Sequence, residues 1–171
     1  MCLPVLVLGI LEAPIVPDVP RELARSVGEP LLFQWMVPLL KGHIADGSTL
    51  ALGPLGQAAW FGLLVTALNL MPVGQLDGGH VVYAVLRERA VIVSRIAWWS
   101  CVALIALIGP TWILWAVLLR VIGMRHPPTI DDGAPLGRAR TVVAVIALVV
   151  FALSFLPNPF LVTWSDLFTS R

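Results

Sequence analysis

Apolar residues come in long runs along this chain, separated by short polar connections. Residues 49–71 contain no charged side chain, and a second apolar run, His80-Val-Val-Tyr-Ala-Val-Leu86, ends at the cluster Arg87-Glu88-Arg89. Between these runs stand Pro72, Gly74, Gly78 and Gly79, residues that interrupt a helix. Residues 49–86 therefore read as one membrane helix, smooth over 57–71 and broken over 72–79. Residues 90–124 are apolar apart from Ser94, Arg95, Ser100, Thr111 and Arg120. A single crossing takes roughly 20 residues, so this run is too long for one. Gly109-Pro110 divides it into segments near 91–108 and 111–124. A last span covers 141–156 and is closed by Pro157-Asn-Pro159.

The remaining segments are short. Residues 1–11 are apolar from the start, lack the basic opening and cleavage site of a signal peptide, and are too few to span a bilayer. They read as the end of a membrane helix whose beginning is missing. Residues 12–30 form a connection rich in proline, and Leu31-Leu-Phe-Gln-Trp-Met-Val-Pro-Leu-Leu40 is an interfacial stretch with Trp35 at the membrane surface. The expected organisation is a first region, 1–48, of truncated helix end, connection and interfacial segment, followed by a membrane core, 49–171. The predicted fold class is an all-α polytopic membrane bundle with about four membrane segments, one of them broken.

Composition agrees with this pattern. The chain is 58% hydrophobic and 12% charged, with mean hydropathy +0.92; a soluble domain carries about 25% charged residues. Net charge is +1, and no basic run has aromatic residues interleaved, so no nucleic-acid partner is expected. Arginines concentrate at 87–95 and 120–140, which the positive-inside rule places as cytoplasmic loops. Cys2 and Cys101 lie far apart in apolar sequence and read as small buried side chains, not as a metal or redox pair.

One residue does not belong in this picture. Asp77 sits at the helix break, in sequence that otherwise reads as membrane-embedded. Burying a carboxylate there costs roughly 3 kcal/mol on insertion scales unless it has a partner. No Lys or Arg lies within nine residues, so the partner must come from farther away: a metal, a distant base, a proton or a second chain. Arg87 is ten residues on, about 15 Å along a helix, which puts the acid in the cytoplasmic half of the bilayer. On an unbroken helix Asn69 would point within about 80° of Asp77. From the acid alone, a metal ligand, a paired structural acid and a proton relay are equal readings.

The surrounding residues, Asn69-Leu-Met-Pro72-Val-Gly-Gln-Leu76-Asp77-Gly78-Gly79-His80, resemble the second active-site motif of site-2 protease-type intramembrane zinc metalloproteases, Asn-x-x-Pro-x-x-x-Leu-Asp-Gly. Gly28-Glu-Pro-Leu-Leu-Phe33 and His126-Pro-Pro-Thr-Ile-Asp-Asp132 are similar to segments of bacterial and plastid-like members, so the resemblance covers about residues 26–160. It implies that Asp77 is the carboxylate zinc ligand and that Asn69 hydrogen-bonds the substrate backbone or the reacting carbonyl. Pro72, Gly78, Gly79 and His80 would shape the break. It further implies a multi-pass protein of a bacterial cell membrane whose partners are the bilayer and transmembrane protein substrates. In the family the other two ligands are histidines of a His-Glu-x-x-His motif, whose Glu activates the metal-bound water.

That motif is absent from this sequence. Its three histidines, His43, His80 and His126, have no neighbouring Glu. One carboxylate is one of three protein ligands, too few to hold zinc tightly. The expectation is the C-terminal part of a membrane-embedded zinc endopeptidase. The alternatives are a non-catalytic relative that binds helices without cutting them, and an ion-coupled transporter, where broken helices with a buried acid also occur. His80 reads as a helix-start histidine bonded to backbone, His43 as solvated and His126 as structural. Trp35, Trp112 and Trp164 read as interface anchors, with Trp98 and Trp99 packed within spans.

Overall fold

Apolar runs bounded by Pro, Gly and Arg form most of the helices in the computed structural model of the chain. It describes residues 2–17, 28–45, 48–127, 136–156 and 164. Contacts group the chain into two compact units, 1–67 with 152–161, and 68–151 with 162–171.

The first unit is built on α1 (Cys2–Glu12), α2 (Leu31–Lys41) and most of α3 (Pro54–Asn69). Leu6 and Ile10, one turn apart on α1, are fully buried against Phe33 of α2 and Ala59 and Leu63 of α3. Glycine permits the close approach: a Cβ on Gly9 would lie 2.6 Å from the Cα of Gly56. Lys41 Nζ donates to Leu11 O at 2.7 Å, satisfying a terminal carbonyl of α1 with a cation at the negative end of the helix. Trp60 Nε1 donates to Gly28 O at 2.7 Å and ties the start of the α2 segment to α3.

This unit also holds a feature outside an all-α description. β1 (Ile15–Val16) pairs antiparallel with β2 (Thr49–Leu50), with Ile15 opposite Leu50. Thr49 and Leu50 therefore do not begin the helix expected from residue 49, which starts at Pro54, a residue suited to the first helical position. A ladder of two residues per strand leaves no periodic signal in sequence, and its pairing is a long-range choice.

In the second unit, α4 (Asp77–Leu86) leads through a 3-10 turn (Arg87–Arg89) into α5 (Ala90–Leu107), then α6 (Thr111–Ile122) and α7 (Arg138–Ser154). The predicted spans at 91–108, 111–124 and 141–156 correspond to α5, α6 and α7 within a few residues. The Gly109-Pro110 turn folds α6 back on α5, and Trp98 Nε1 donates to Ala116 O at 2.8 Å across the pair. Trp112 is buried at 2% exposure and packs within the protein instead of anchoring a surface, whereas Trp99 is exposed. Val82, Tyr83 and Ala90 form a small core where α4 meets α5.

Two expected boundaries move. Helix resumes at Asp77, so the break covers 70–76 and not 72–79. A carboxylate in a first turn is favoured by the free N–H groups there, and two glycines can enter a helix when close packing requires them. Residues 87–95 are not a loop: 87–89 form the 3-10 turn and 90–95 are the first turns of α5.

The helical run Asp77–Leu107 is, among the described residues, the one long and apolar enough to cross a membrane. Only 17% of its apolar window is buried, so packing does not explain its composition. On α7 the side chains of Val142, Val143, Val145, Ile146 and Val149 are all exposed. Apolar surface of this extent marks contact with a nonaqueous partner.

Candidate functional site

The site lies where α3 ends at Asn69 and α4 begins at Asp77. Seven residues turn the chain between them, held by Met71 N–H to Leu68 O at 3.2 Å, Val73 N–H to Met71 O at 2.7 Å and Leu76 N–H to Val73 O at 3.1 Å. Val73 at the centre of the turn is fully buried.

Three glycines make this turn possible. Gly74 has φ +52, a left-handed conformation that other residues avoid, and a Cβ there would lie 1.8 Å from Gly123 O. A Cβ on Gly78 would lie 1.9 Å from Leu70 O, and one on Gly79 would lie 2.3 Å from Gly74 O. The backbone that approaches the glycines is the chain's own, folded against the first turn of α4.

Ser94 of α5 completes the clamp. Its Oγ accepts from Gly74 N–H at 3.2 Å and donates to Pro72 O at 3.3 Å. Ser94 is 3% exposed, so one buried hydroxyl satisfies two backbone groups that the turn leaves unpaired. Pro72 therefore acts through its carbonyl as well as through its ring.

Asn69, Asp77 and His80 are all exposed. Asp77 stands at the first position of α4, its carboxylate clear of the buried turn. His80 follows it by three residues, close to one helical turn on the same face. The ring of His80 pairs with the ring of His126 through Nδ1 and Nε2 respectively. The two rings meet edge to face with centroids 4.5 Å apart, and the ring of buried Tyr83 stacks on His126 at 4.2 Å with 17° between planes. His126 Nδ1 reaches Pro127 O at 2.5 Å. His80 thus finds an imidazole partner where a backbone one was expected for its ring, and its N–H bonds Leu76 O at 3.0 Å as part of the helix start. His43 lies exposed in the polar loop.

Sequence reasoning left His126 outside the site. The pairing joins residues 46 apart in the chain, one on α4 and one past the end of α6. Only the α5–α6 hairpin, which returns the chain to α4, brings them together. Ser94 was missed for the same reason.

The donor set bears on a metal. Asp77 offers a hard carboxylate in the open, suited to be one oxygen ligand of zinc. Among the described residues no three His, Cys, Asp or Glu side chains gather closely enough to hold an ion. The described residues fit a single ligand position and not a complete centre.

Known proteins give the same motif a context. The family model described as Peptidase family M50 matches residues 30–126, which include the α3–α4 turn and both paired histidines. The chain is 32% identical over 122 residues to a protein of Arabidopsis thaliana named "Probable zinc metalloprotease EGY1, chloroplastic", covering 70% of this chain and 21% of that protein. It is 32% identical over 121 residues to "Probable zinc metalloprotease EGY3, chloroplastic" of Oryza sativa subsp. japonica, covering 68% and 20%. It is 28% identical over 135 residues to "Probable zinc metalloprotease EGY2, chloroplastic" of Arabidopsis thaliana, covering 75% and 23%. The chain thus spans about a fifth of the length of the curated relatives it matches. These relatives carry plant and chloroplast names and give a bacterial cell membrane no support. No solved structure matches the chain.

Proposed function

This chain belongs to peptidase family M50, the site-2 protease family, and on that premise we propose that it supplies one third of an intramembrane zinc site and the scaffold that presents it. The observation that carries the reading is Asp77, an exposed carboxylate at the first turn of α4, held in place by a turn that tolerates no side chain at Gly74, Gly78 or Gly79. The two histidine ligands and the glutamate base are proposed to come from a His-Glu-x-x-His helix outside these 171 residues, because none of the three histidines here has that spacing. Zinc, when bound there, would supply Lewis-acid chemistry and water activation near neutral pH.

The chain's own residues have three tasks in this reading. Asp77 would supply one oxygen ligand to the metal. Asn69, exposed at the end of α3, offers both a donor and an acceptor to the backbone of an unwound substrate. Pro72, Gly78, Gly79 and Ser94 keep the turn closed so that Asp77 does not move.

The substrate class is a transmembrane segment of another protein. Membrane segments are proposed at α3, α5, α6 and α7 of 16, 18, 12 and 17 residues. At 1.5 Å per residue they reach about 24, 27, 18 and 26 Å, against a hydrocarbon core of about 30 Å. All but α6 come close to a crossing. The arginines at 87–95 and 120–140 are proposed to lie on the cytoplasmic side.

The test is zinc content and cleavage in the whole reading frame. Purified from membranes, the wild-type protein should hold about one zinc per chain and cut a helical substrate, and Asp77→Asn should lose both. Undiminished zinc and cleavage in Asp77→Asn would overturn the assignment. A frame with no His-Glu-x-x-His motif, no zinc and no cleavage would instead identify a non-catalytic relative that binds helices.

A further inference from the structure

The bonds around His126 determine which nitrogen of His80 carries the proton. Pro127 O is a carbonyl and can only accept, so the proton on the His126 ring must sit on Nδ1, which lies 2.5 Å away. In a neutral imidazole the other nitrogen is then a bare lone pair. His126 Nε2 is therefore an acceptor, and its partner His80 Nδ1 must donate. With the His80 ring neutral as well, its Nε2 is left without a proton. The chain of bonds runs from carbonyl to His126 to His80 and ends on a free lone pair, three residues along α4 from Asp77 and on an exposed side chain.

This is the less common state of a histidine. A neutral imidazole free in water prefers its proton on Nε2, and a second group bonded to Nδ1 reverses that preference. Tyr83 fixes the plane of the relay: buried and stacked on His126, it holds the ring that accepts the His80 proton.

We infer that His80 is a proton-accepting group of the same site, its bare Nε2 carried about one helical turn along α4 from Asp77, and that His126 is the positioning residue that keeps it bare. The group it serves is an O–H or N–H donor next to the carboxylate, a water or the amide of a peptide. A role for His80 as a third imidazole ligand to zinc is disfavoured, because three family ligands and a water already fill a tetrahedron. The inference rests on the proposed role of Asp77, yet its first test does not.

The first test is nitrogen NMR of the full 171-residue chain in lipid nanodiscs, with 15N-labelled histidine, at about pH 8 where imidazole is neutral. His80 Nε2 should resonate as an unprotonated, pyridine-like nitrogen and His80 Nδ1 as a protonated one. His126→Phe keeps a ring to stack on Tyr83 but offers no acceptor, and should return the His80 proton to Nε2. His126→Gln restores an acceptor oxygen and should restore the wild-type pattern. Circular dichroism confirms that each variant is folded. A wild-type His80 protonated on Nε2, or a His126→Phe pattern identical to wild type, overturns the relay.

The second test uses the whole reading frame. His80→Gln should keep its zinc and lose about 100-fold in turnover, within the range for a lost proton-transfer group. Full turnover there overturns the proton-accepting role, while loss of zinc would show His80 to be a ligand and overturn it as well. Failure of Asp77→Asn to lose zinc would leave the NMR result standing, so the two readings fail separately.

Discussion

Replacing Gly78 by alanine inserts a methyl group where the backbone of the preceding turn lies against α4. The new carbon would sit 1.9 Å from Leu70 O, 2.3 Å from Leu70 C and 2.6 Å from Met71 O. All three are main-chain atoms, so no side chain can swing away. Relief to even 3.0 Å from Leu70 O requires α4 and the turn to separate by about 1 Å, and the turn is held on its other side by Ser94. Overpacking of this kind costs about 1–3 kcal/mol. For a chain of this size each kcal/mol lowers the midpoint by about 2–4 °C, so the expected loss is roughly 2–12 °C.

Thermal unfolding in detergent, followed by circular dichroism, measures that loss. Gly53→Ala is the reference, since nothing lies within 4 Å of a Cβ there and its effect should stay within about 0.5 kcal/mol. Equal midpoints for Gly78→Ala and wild type would refute the claim that the turn is closed on α4. A fall as large in Gly53→Ala would show that any loss of glycine is harmful, and would refute it too. Under the proposed protease function, the same substitution in the whole reading frame should cost about 100-fold in cleavage, the scale of a 1 Å misplacement at a reacting centre.

Other substitutions probe the remaining supports. Ser94→Ala leaves Gly74 N–H and Pro72 O unpaired in a buried place and should cost about 1–3 kcal/mol in the same unfolding measurement; a change below about 0.3 kcal/mol would contradict the clamp. Trp98→Phe removes the 2.8 Å bond to Ala116 O and should cost about 1 kcal/mol while α5 stays helical by circular dichroism. In the first unit, Gly9→Ala drives a methyl to 2.6 Å from the Cα of Gly56 and should destabilise by about 1–3 kcal/mol, again against Gly53→Ala.

The sequence by itself determined where the apolar helices lie and which turn is the candidate site. Runs of uncharged residues punctuated by Gly109-Pro110 and Arg87-Glu88-Arg89 are local signals, and local signals locate helices to within a few residues. The order Asn69, Pro72, Asp77, Gly78, Gly79 likewise marked the candidate site, because an acid within membrane-embedded sequence is costly unless it has a partner. The edge of the break was less legible: two glycines read as loop until Leu70 O and Gly74 O are found packed against them.

Only the tertiary structure decided what holds the site. Ser94, Gly123 and His126 lie 20 or more residues from the turn atoms or the ring they meet, and nothing in their own neighbourhoods says which atoms those are. The two-residue pairing of Ile15–Val16 with Thr49–Leu50 is of the same kind. The physical reason is range. Helix propensity and the cost of a buried charge act through neighbours in the chain, whereas a hydroxyl shared by two backbone groups, or a proton held between two imidazoles, exists only once α5 and α6 have folded back against α4.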